Sequence, residues 1–300
     1  MATVATKQSK RPTNPTTLAT ASMVVLQSTK PTPTVAAVKT DASASKPKRR
    51  KKPRAERIQK QNAHFEVVLE AARAATQILR ARGLSCAIFG SLASKLYGCS
   101  RVPKDVDLLV SQNVDEEPPA HRDDIFVPQP QLTAEELKDL ILRANSQHFY
   151  LKMPRDPAAE YRILWYRQKY QGPECKVDIL VPGTMHLPFL NPQRINWVQE
   201  LPLVPFSLLL FHKLKGWDDH CKAEEAHYRR RQQQDAADVA KLLALRHWMK
   251  SLKGSKLLDD EELFDEEFKV LTKERVKLYC EAFNDRAKEW KELGFETGCI

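Results

Sequence analysis

The chain has 300 residues, with 48 Lys or Arg against 38 Asp or Glu for a net charge of +10, and 42% of its residues are hydrophobic. That length can bury a sizeable core, and no stretch reaches the roughly eighteen consecutive apolar residues of a membrane span. Six cysteines, at 86, 99, 175, 221, 280 and 299, make no C-x-x-C pair and have no His at zinc-ligand spacing; this argues against a zinc module or a disulfide scaffold and for reduced thiols inside a cell.

Residues 1–57 read as a disordered basic tail. Up to residue 60 the chain is rich in Thr, Ser, Ala, Pro and Lys, and its one apolar cluster, Met23 to Leu26, lacks aromatics and offers no core. Fourteen Lys or Arg stand there against Asp41 and Glu56, a net of +12, while the rest of the chain holds 34 basic and 36 acidic residues, a net of −2. The positive charge therefore belongs to the tail. Its run KPKRRKKPR, Lys46 to Arg54, has the form of a nuclear import signal or a nucleic-acid patch. The expected address is the nucleus, with an import receptor as partner, and the alternatives are cytoplasm or mitochondrion. Scarce arginine and frequent proline in the first forty residues count against a mitochondrial leader.

Residues 58–204 are expected to form an α/β core. From Ile58 to Arg82, Phe65, Val68, Leu69, Ala72, Ala75, Ile78 and Leu79 recur at helical spacing, and Gly83 follows as a cap. Leu84 to Phe89 is a strand; Gly90-Ser91 is a turn opening a short helix; a second strand then carries Asp105 and Asp107. Residues two apart on a strand share a face, so both carboxylates leave one side while Val106, Leu108 and Val110 leave the other. Two negative charges side by side are costly without a cation between them, and Mg²⁺ is ordinarily held by one or two carboxylates together with substrate phosphates. A Gly90-Ser91 turn at a helix N-terminus seats those phosphates on backbone N–H groups. Together they describe a site for a nucleotide and its metal.

The order hydrophobic-Gly-Ser, thirteen residues, then Asp-hydrophobic-Asp-hydrophobic resembles the signature of the DNA polymerase β-type nucleotidyltransferase superfamily. The resemblance implies an α/β fold, a mixed sheet flanked by helices, with a third acid on a later strand. It also implies two Mg²⁺ ions and an NTP as donor. Gly90 and Ser91 would hold the β- and γ-phosphates, and Asp105 and Asp107 the metals.

After Val110, SQNVDEEPPAHRDDIFVPQPQ has the composition of a surface loop, and Thr133 to Glu136 spells a capping box opening a helix to about Asn145. Phe149 to Met153 and Tyr161 to Arg167 have strand composition. In CKVDILVPG, Val177, Ile179 and Val181 share one face while Lys176, Asp178 and Leu180 share the other. Asp178 follows the first pair by a helix and two strands, the place of the superfamily's third carboxylate, a metal ligand acting on the attacking hydroxyl. An Asp paired with Lys176 on an edge strand would look the same.

Residues 205–300 are expected to be a helical C-terminal subdomain. Pro205 suits a first turn, FSLLLFHKLKGWDDH carries that helix to about Trp217, and DAADVAKLLALRHWMK makes a second with Ala237, Val239 or Ala240, Leu243 and Leu245 inward. KLKGW and RRRQQQDAAD resemble the K-L-x-A and R-x-K-D-x-x-D motifs of the AbiEii-type branch, the toxin component of bacterial abortive-infection systems. That resemblance implies active-site roles for Lys213 and Asp235, with Asp238 as the second motif aspartate; Gly216 and the Gln232 to Gln234 run depart from the branch pattern. Physically, Lys213 could neutralise a triphosphate while Asp235 holds it in one rotamer, and an ordinary ion pair between the two is the plainer reading. His212, His220, His227 and His247 show no metal spacing and read as surface or satisfied histidines. The acid-rich faces of the last forty residues read as solvated. The expected function is Mg²⁺-dependent transfer of a nucleoside monophosphate from an NTP to an acceptor left open among RNA, a protein hydroxyl and a small molecule. The alternative is a catalytically silent nucleotide-binding or nucleic-acid-binding scaffold.

Overall fold

Pro53 presets the first helix, α1 (Arg54–Arg80), which starts ahead of the expected Ile58 because Arg54 to Arg57 are helix-compatible and face solvent. The chain is described by a computed structural model over residues 53–112, 131–253 and 256–298. Residues 1–52 of the expected disordered tail, with all of its basic run but Pro53 and Arg54, and most of the loop after Val110 lie outside the described residues; Arg54 to Arg57, expected in that tail, are helical.

The fold class is α/β, a mixed sheet flanked by helices. Seven strands, β1 (Ser85–Phe89), β2 (Asp105–Ser111), β3 (Phe149–Lys152), β4 (Ile163–Arg167), β5 (Glu174–Leu180), β6 (Asn196–Val198) and β7 (Leu201–Leu203), lie in the order β3-β4-β5-β2-β1-β7-β6. β2 and β5 are parallel, as are β1 and β7, and the remaining pairs are antiparallel. The expected strand-like segments are β3, β4 and β5. β6 and β7 were not legible: each is three residues long, too short for a period, and Pro202 breaks the composition expected of a strand.

One face of the sheet is closed by α1 and by α3 (Ala134–Ala144), whose predicted capping box is present, Thr133 accepting from the Glu136 N–H while Glu136 accepts from the Thr133 N–H. Ala71, Ala72 and Ala75 are fully buried, so small side chains let α1 approach the strands closely. α2 (Gly90–Tyr97) lies over β1 and β2 and meets α4 (Phe206–Lys222), which runs one turn past the expected Trp217. Tyr97 ties these parts together: its hydroxyl donates to the Val204 carbonyl at 2.5 Å and accepts from Asn196 Nδ2, while Trp248 Nε1 donates to its carbonyl at 3.1 Å.

The expected second helix is divided at Ala244 and Leu245 into α6 (Gln232–Leu243) and α7 (Arg246–Leu252), after a short α5 (Ala226–Arg229). Its inward face is Ala236, Val239, Leu242 and Leu243, with Asp238 buried among them. Of the expected inward residues Val239 and Leu243 are buried, whereas Ala237 is exposed and Ala240 and Leu245 are only half-buried; Ala236, Asp238 and Leu242 take the remaining inward places. α8 (Glu266–Ala282) and α9 (Ala287–Glu292) complete the helical part, where Phe211, Phe264, Phe268, Tyr279 and Trp290 form an aromatic core. Among the described residues no helix is long and apolar enough to cross a membrane.

Candidate active site

The site is built where β1 hands over to α2. Gly90 sits at φ +63°, and a Cβ there would overlap Asp107 Oδ2 and stand 2.9 Å from its Cγ, so only glycine lets this turn pass the carboxylate. Phe89 supplies no side-chain cap to the first turn of α2, and that turn lies beside the aspartates, Gly90 against Asp107 and Ser91 against Asp105. Ser91 Oγ donates to Asp105 Oδ1 at 3.1 Å.

Register brings the acids together as the alternation predicts. Asp105 lies opposite Lys176 and Asp107 opposite Asp178 in the parallel β2–β5 pair, so all four side chains leave the same face. Lys176 Nζ meets Asp178 Oδ2 at 2.8 Å. Asp107 accepts no side-chain hydrogen bond or ion pair among the described residues. Burial, and then the neighbouring charges of Asp105 and Asp178, push its carboxyl up to about 7, against the weaker pull of Lys213 and Lys176.

That shift has a direct consequence for stability. The unfolded chain releases this proton near 3.8 and the folded chain near 7, so between those values the folded state holds a proton the unfolded state has lost. Metal-free protein should therefore lose stability as pH rises from about 4 to 7, by at most about 1.4 kcal/mol per pH unit. Urea unfolding at pH 5 and pH 8 in a chelator measures it, and the slope should flatten in Asp107→Asn. A wild-type profile indistinguishable from that variant's would refute the electrostatic account.

The opposite wall comes from α4 and α6. Lys213, Asp235, Asp105, Asp107 and Ser91 line one cleft of about 670 Å³, a size that takes a nucleotide. Asp178 is not on its lining and stands beside it, next to Asp107. The expected pairing of Lys213 with Asp235 is not found. Lys213 Nζ instead lies 4.0 Å from Asp238 Oδ2, which is buried and ion-paired at 2.6 Å with Arg101, while Asp235 Oδ2 meets His220 Nδ1 at 2.6 Å. The two motif aspartates lie three apart, and each holds a different cation or imidazole at the cleft.

Sequence reasoning missed His220, Arg101, Lys104, Arg231 and Gln234, all of which line the cleft. A signal existed for three of them. His220 falls two helical turns after Lys213 on the same face, Arg101 lies between the two halves of the Gly-Ser and Asp-x-Asp pattern, and Arg231 ends the RRR run before α6.

Among the described residues no group of three or more His, Cys, Asp or Glu forms a metal cage. The donor set suits Mg²⁺ only in its usual shared form, in which hard carboxylate oxygens take part of the ion and substrate phosphates the rest. Asp107, with a carboxylate lacking a partner and facing a cleft that holds Lys213 and Arg231, meets that requirement.

No family model and no curated protein matches the chain. Among solved structures it is similar to an antigenic nucleotidyltransferase-like protein from Paracoccidioides brasiliensis, at 15% identity over 77% of this chain and 93% of that one, with a TM-score of 0.49. It is similar also to the antibiotic-resistance factor ANT(2'')-Ia, at 10% identity over 64% of this chain and 93% of that one, TM-score 0.31. A chain of the GLD-2/RNP-8 complex follows at 11% identity over 65% of this chain and 60% of that one, TM-score 0.26.

Proposed function

We propose that this protein is a nucleotidyltransferase that moves a nucleoside monophosphate from an NTP to an acceptor hydroxyl. The observation that carries the reading is the meeting of Asp105 and Asp107 with the open N-terminus of α2 and with Lys213 in a single cleft. The α2 N–H groups and Ser91 receive the β- and γ-phosphates. Lys213, three-quarters or more buried by the cleft wall with a side-chain exposure of 16%, offsets the charge that develops on the leaving pyrophosphate. Mg²⁺ shared by Asp105, Asp107 and the triphosphate would supply Lewis-acid activation of the α-phosphate. Asp178, beside Asp107 in register, is the group that accepts or orients the acceptor's proton once Lys176 is drawn away by substrate. The AbiEii-like roles of Lys213 and Asp235 and an address in the nucleus through Lys46 to Arg54 belong to the same proposal. Incubation with α-labelled NTPs and Mg²⁺ tests it: label should pass to an acceptor in cell extract, and no NTP binding with or without Mg²⁺ would end the reading.

A second reading is a nucleotide-binding scaffold without transfer, favoured by the 2.8 Å Lys176–Asp178 pair, which occupies the third acid. It predicts NTP binding with no label transfer.

Lys213→Ala separates a phosphate contact from a structural ion pair. Asp238 keeps Arg101 at 2.6 Å in that variant, so the fold loses little. NTP affinity should fall by about 1.5 to 3 kcal/mol, the scale of a charge-assisted contact. A lower melting temperature with unchanged NTP affinity, in one thermal-shift titration, is the opposite result.

A further inference from the structure

The face that carries the aspartates continues past β5. Asp105 lies opposite Lys176, Lys176 opposite Trp165, and Trp165 opposite Tyr150, so one cross-strand row runs from the carboxylates to the outer strand. At strand spacing that row spans about 14 Å. On the reverse face Phe149, Leu164, Tyr166 and Val177 are buried, whereas Tyr150, Trp165 and Lys176 on this face stay half-exposed. Cations lie against the rings, Lys152 Nζ 4.0 Å from the Trp165 centroid and Arg167 Cζ 4.5 Å from that of Tyr150. Arg167 also reaches Tyr170, which is 76% exposed.

Cation–π pairs alone explain rings on a solvated hairpin. They do not explain why the aromatic row ends in register with Lys176 and Asp105, nor why Tyr170 extends it into solvent. Aromatic platforms interleaved with Lys and Arg are the chemistry that receives single-stranded nucleic acid, since every base has a π-face and every linkage a phosphate. A protein acceptor needs no such platform.

We propose that the row Tyr150–Trp165–Lys176 is an acceptor track for single-stranded nucleic acid, its bases stacking on Trp165 and Tyr150 and its terminal hydroxyl reaching Asp178. The inference rests on the transfer reading for what happens at Asp178, but the binding it describes needs neither NTP nor Mg²⁺. Lys152 and Arg167 meet the phosphates; the strand competes with Glu174, which now holds Lys152 at 2.5 Å.

The test uses the full chain with Lys46, Lys48, Arg49, Arg50, Lys51 and Lys52 changed to Gln, so that the tail does not mask the folded surface. Fluorescence anisotropy then follows labelled oligoribonucleotide and oligodeoxyribonucleotide single strands of about twelve nucleotides, and a duplex, without NTP or metal. Single strands should bind better than the duplex. Tyr150→Leu with Trp165→Leu should weaken that binding about tenfold or more while labelled ATP binding stays unchanged. Lys152→Gln with Arg167→Gln, which leaves the rings in place, should reduce the salt dependence of binding. Unchanged single-strand binding in both double variants overturns the track, as does absence of single-strand binding to the Gln-tail protein. Label transfer to protein in extract, with no single-strand binding, assigns a protein acceptor instead. Loss of ATP binding in the parent would strike the transfer reading and leave the binding result interpretable.

Discussion

Asp107→Asn is expected to bring Mg²⁺-dependent label transfer to background while making the metal-free protein at pH 8 more stable, by about 1 to 3 kcal/mol. The substitution keeps shape and removes charge, so the contact with Gly90 survives and the repulsion from Asp105 and Asp178 does not. The magnitude follows from a carboxyl raised to about 7, discounted because the side chain is only half-buried. Activity should be lost because an amide is a poor partner for a hard cation and cannot carry its share of the charge. At pH 5, little more than one unit above the unfolded value of 3.8, the wild type has lost only part of that stability, so the gap between the two proteins should be clearly smaller than at pH 8. A structural Asp107 would do the reverse, and its replacement would cost stability at both pH values. Paired urea titrations with and without Mg²⁺ decide between them.

Much of this arrangement could be read from the residues because it rests on local rules. The period of two in β2 and β5 put Asp105, Asp107 and Asp178 on one face, and the register that makes Asp107 and Asp178 neighbours preserves that reading. The capping box at Thr133 was legible for the same reason, since both partners lie within four residues.

The rest depends on contacts between distant parts of the chain. Asp238 looks like a surface acid from its neighbours, yet Arg101, from the loop before β2, reaches it at 2.6 Å and makes its burial tolerable. That one long-range pair lets Asp238 stand on the inward face of α6, while Asp235 takes His220. Lys213 thus faces the cleft from between an acid already paired and the unpaired Asp107, which is where an incoming anion gains most. His220 and Asp235 form a further polar wall: periodicity puts His220 on the face of Lys213, but its pairing with Asp235 joins two different helices and is set by how α4 and α6 pack.

Gly90→Ala is expected to be the most damaging single change at the site, and Gly83 provides its control. Both glycines have positive φ, +63° and +75°, so alanine costs each a similar backbone penalty of about 1 kcal/mol. A Cβ at Gly83 meets nothing within 4 Å, whereas one at Gly90 runs into the Asp107 carboxylate. Gly83→Ala should therefore lose about 1 kcal/mol and retain NTP binding. Gly90→Ala should lose about 2 to 4 kcal/mol, the range of backbone strain plus overpacking, and should displace Asp107 enough to end Mg²⁺-dependent binding. The overlap belongs to one pair of residues, so it must show as non-additivity: Gly90→Ala combined with Asp107→Ala should be more stable than the sum of the two single changes by about 1 to 3 kcal/mol. A double-mutant cycle in urea measures that coupling. If the two changes simply add, Gly90 is conserving only its backbone angle, and the turn does not hold Asp107 in place.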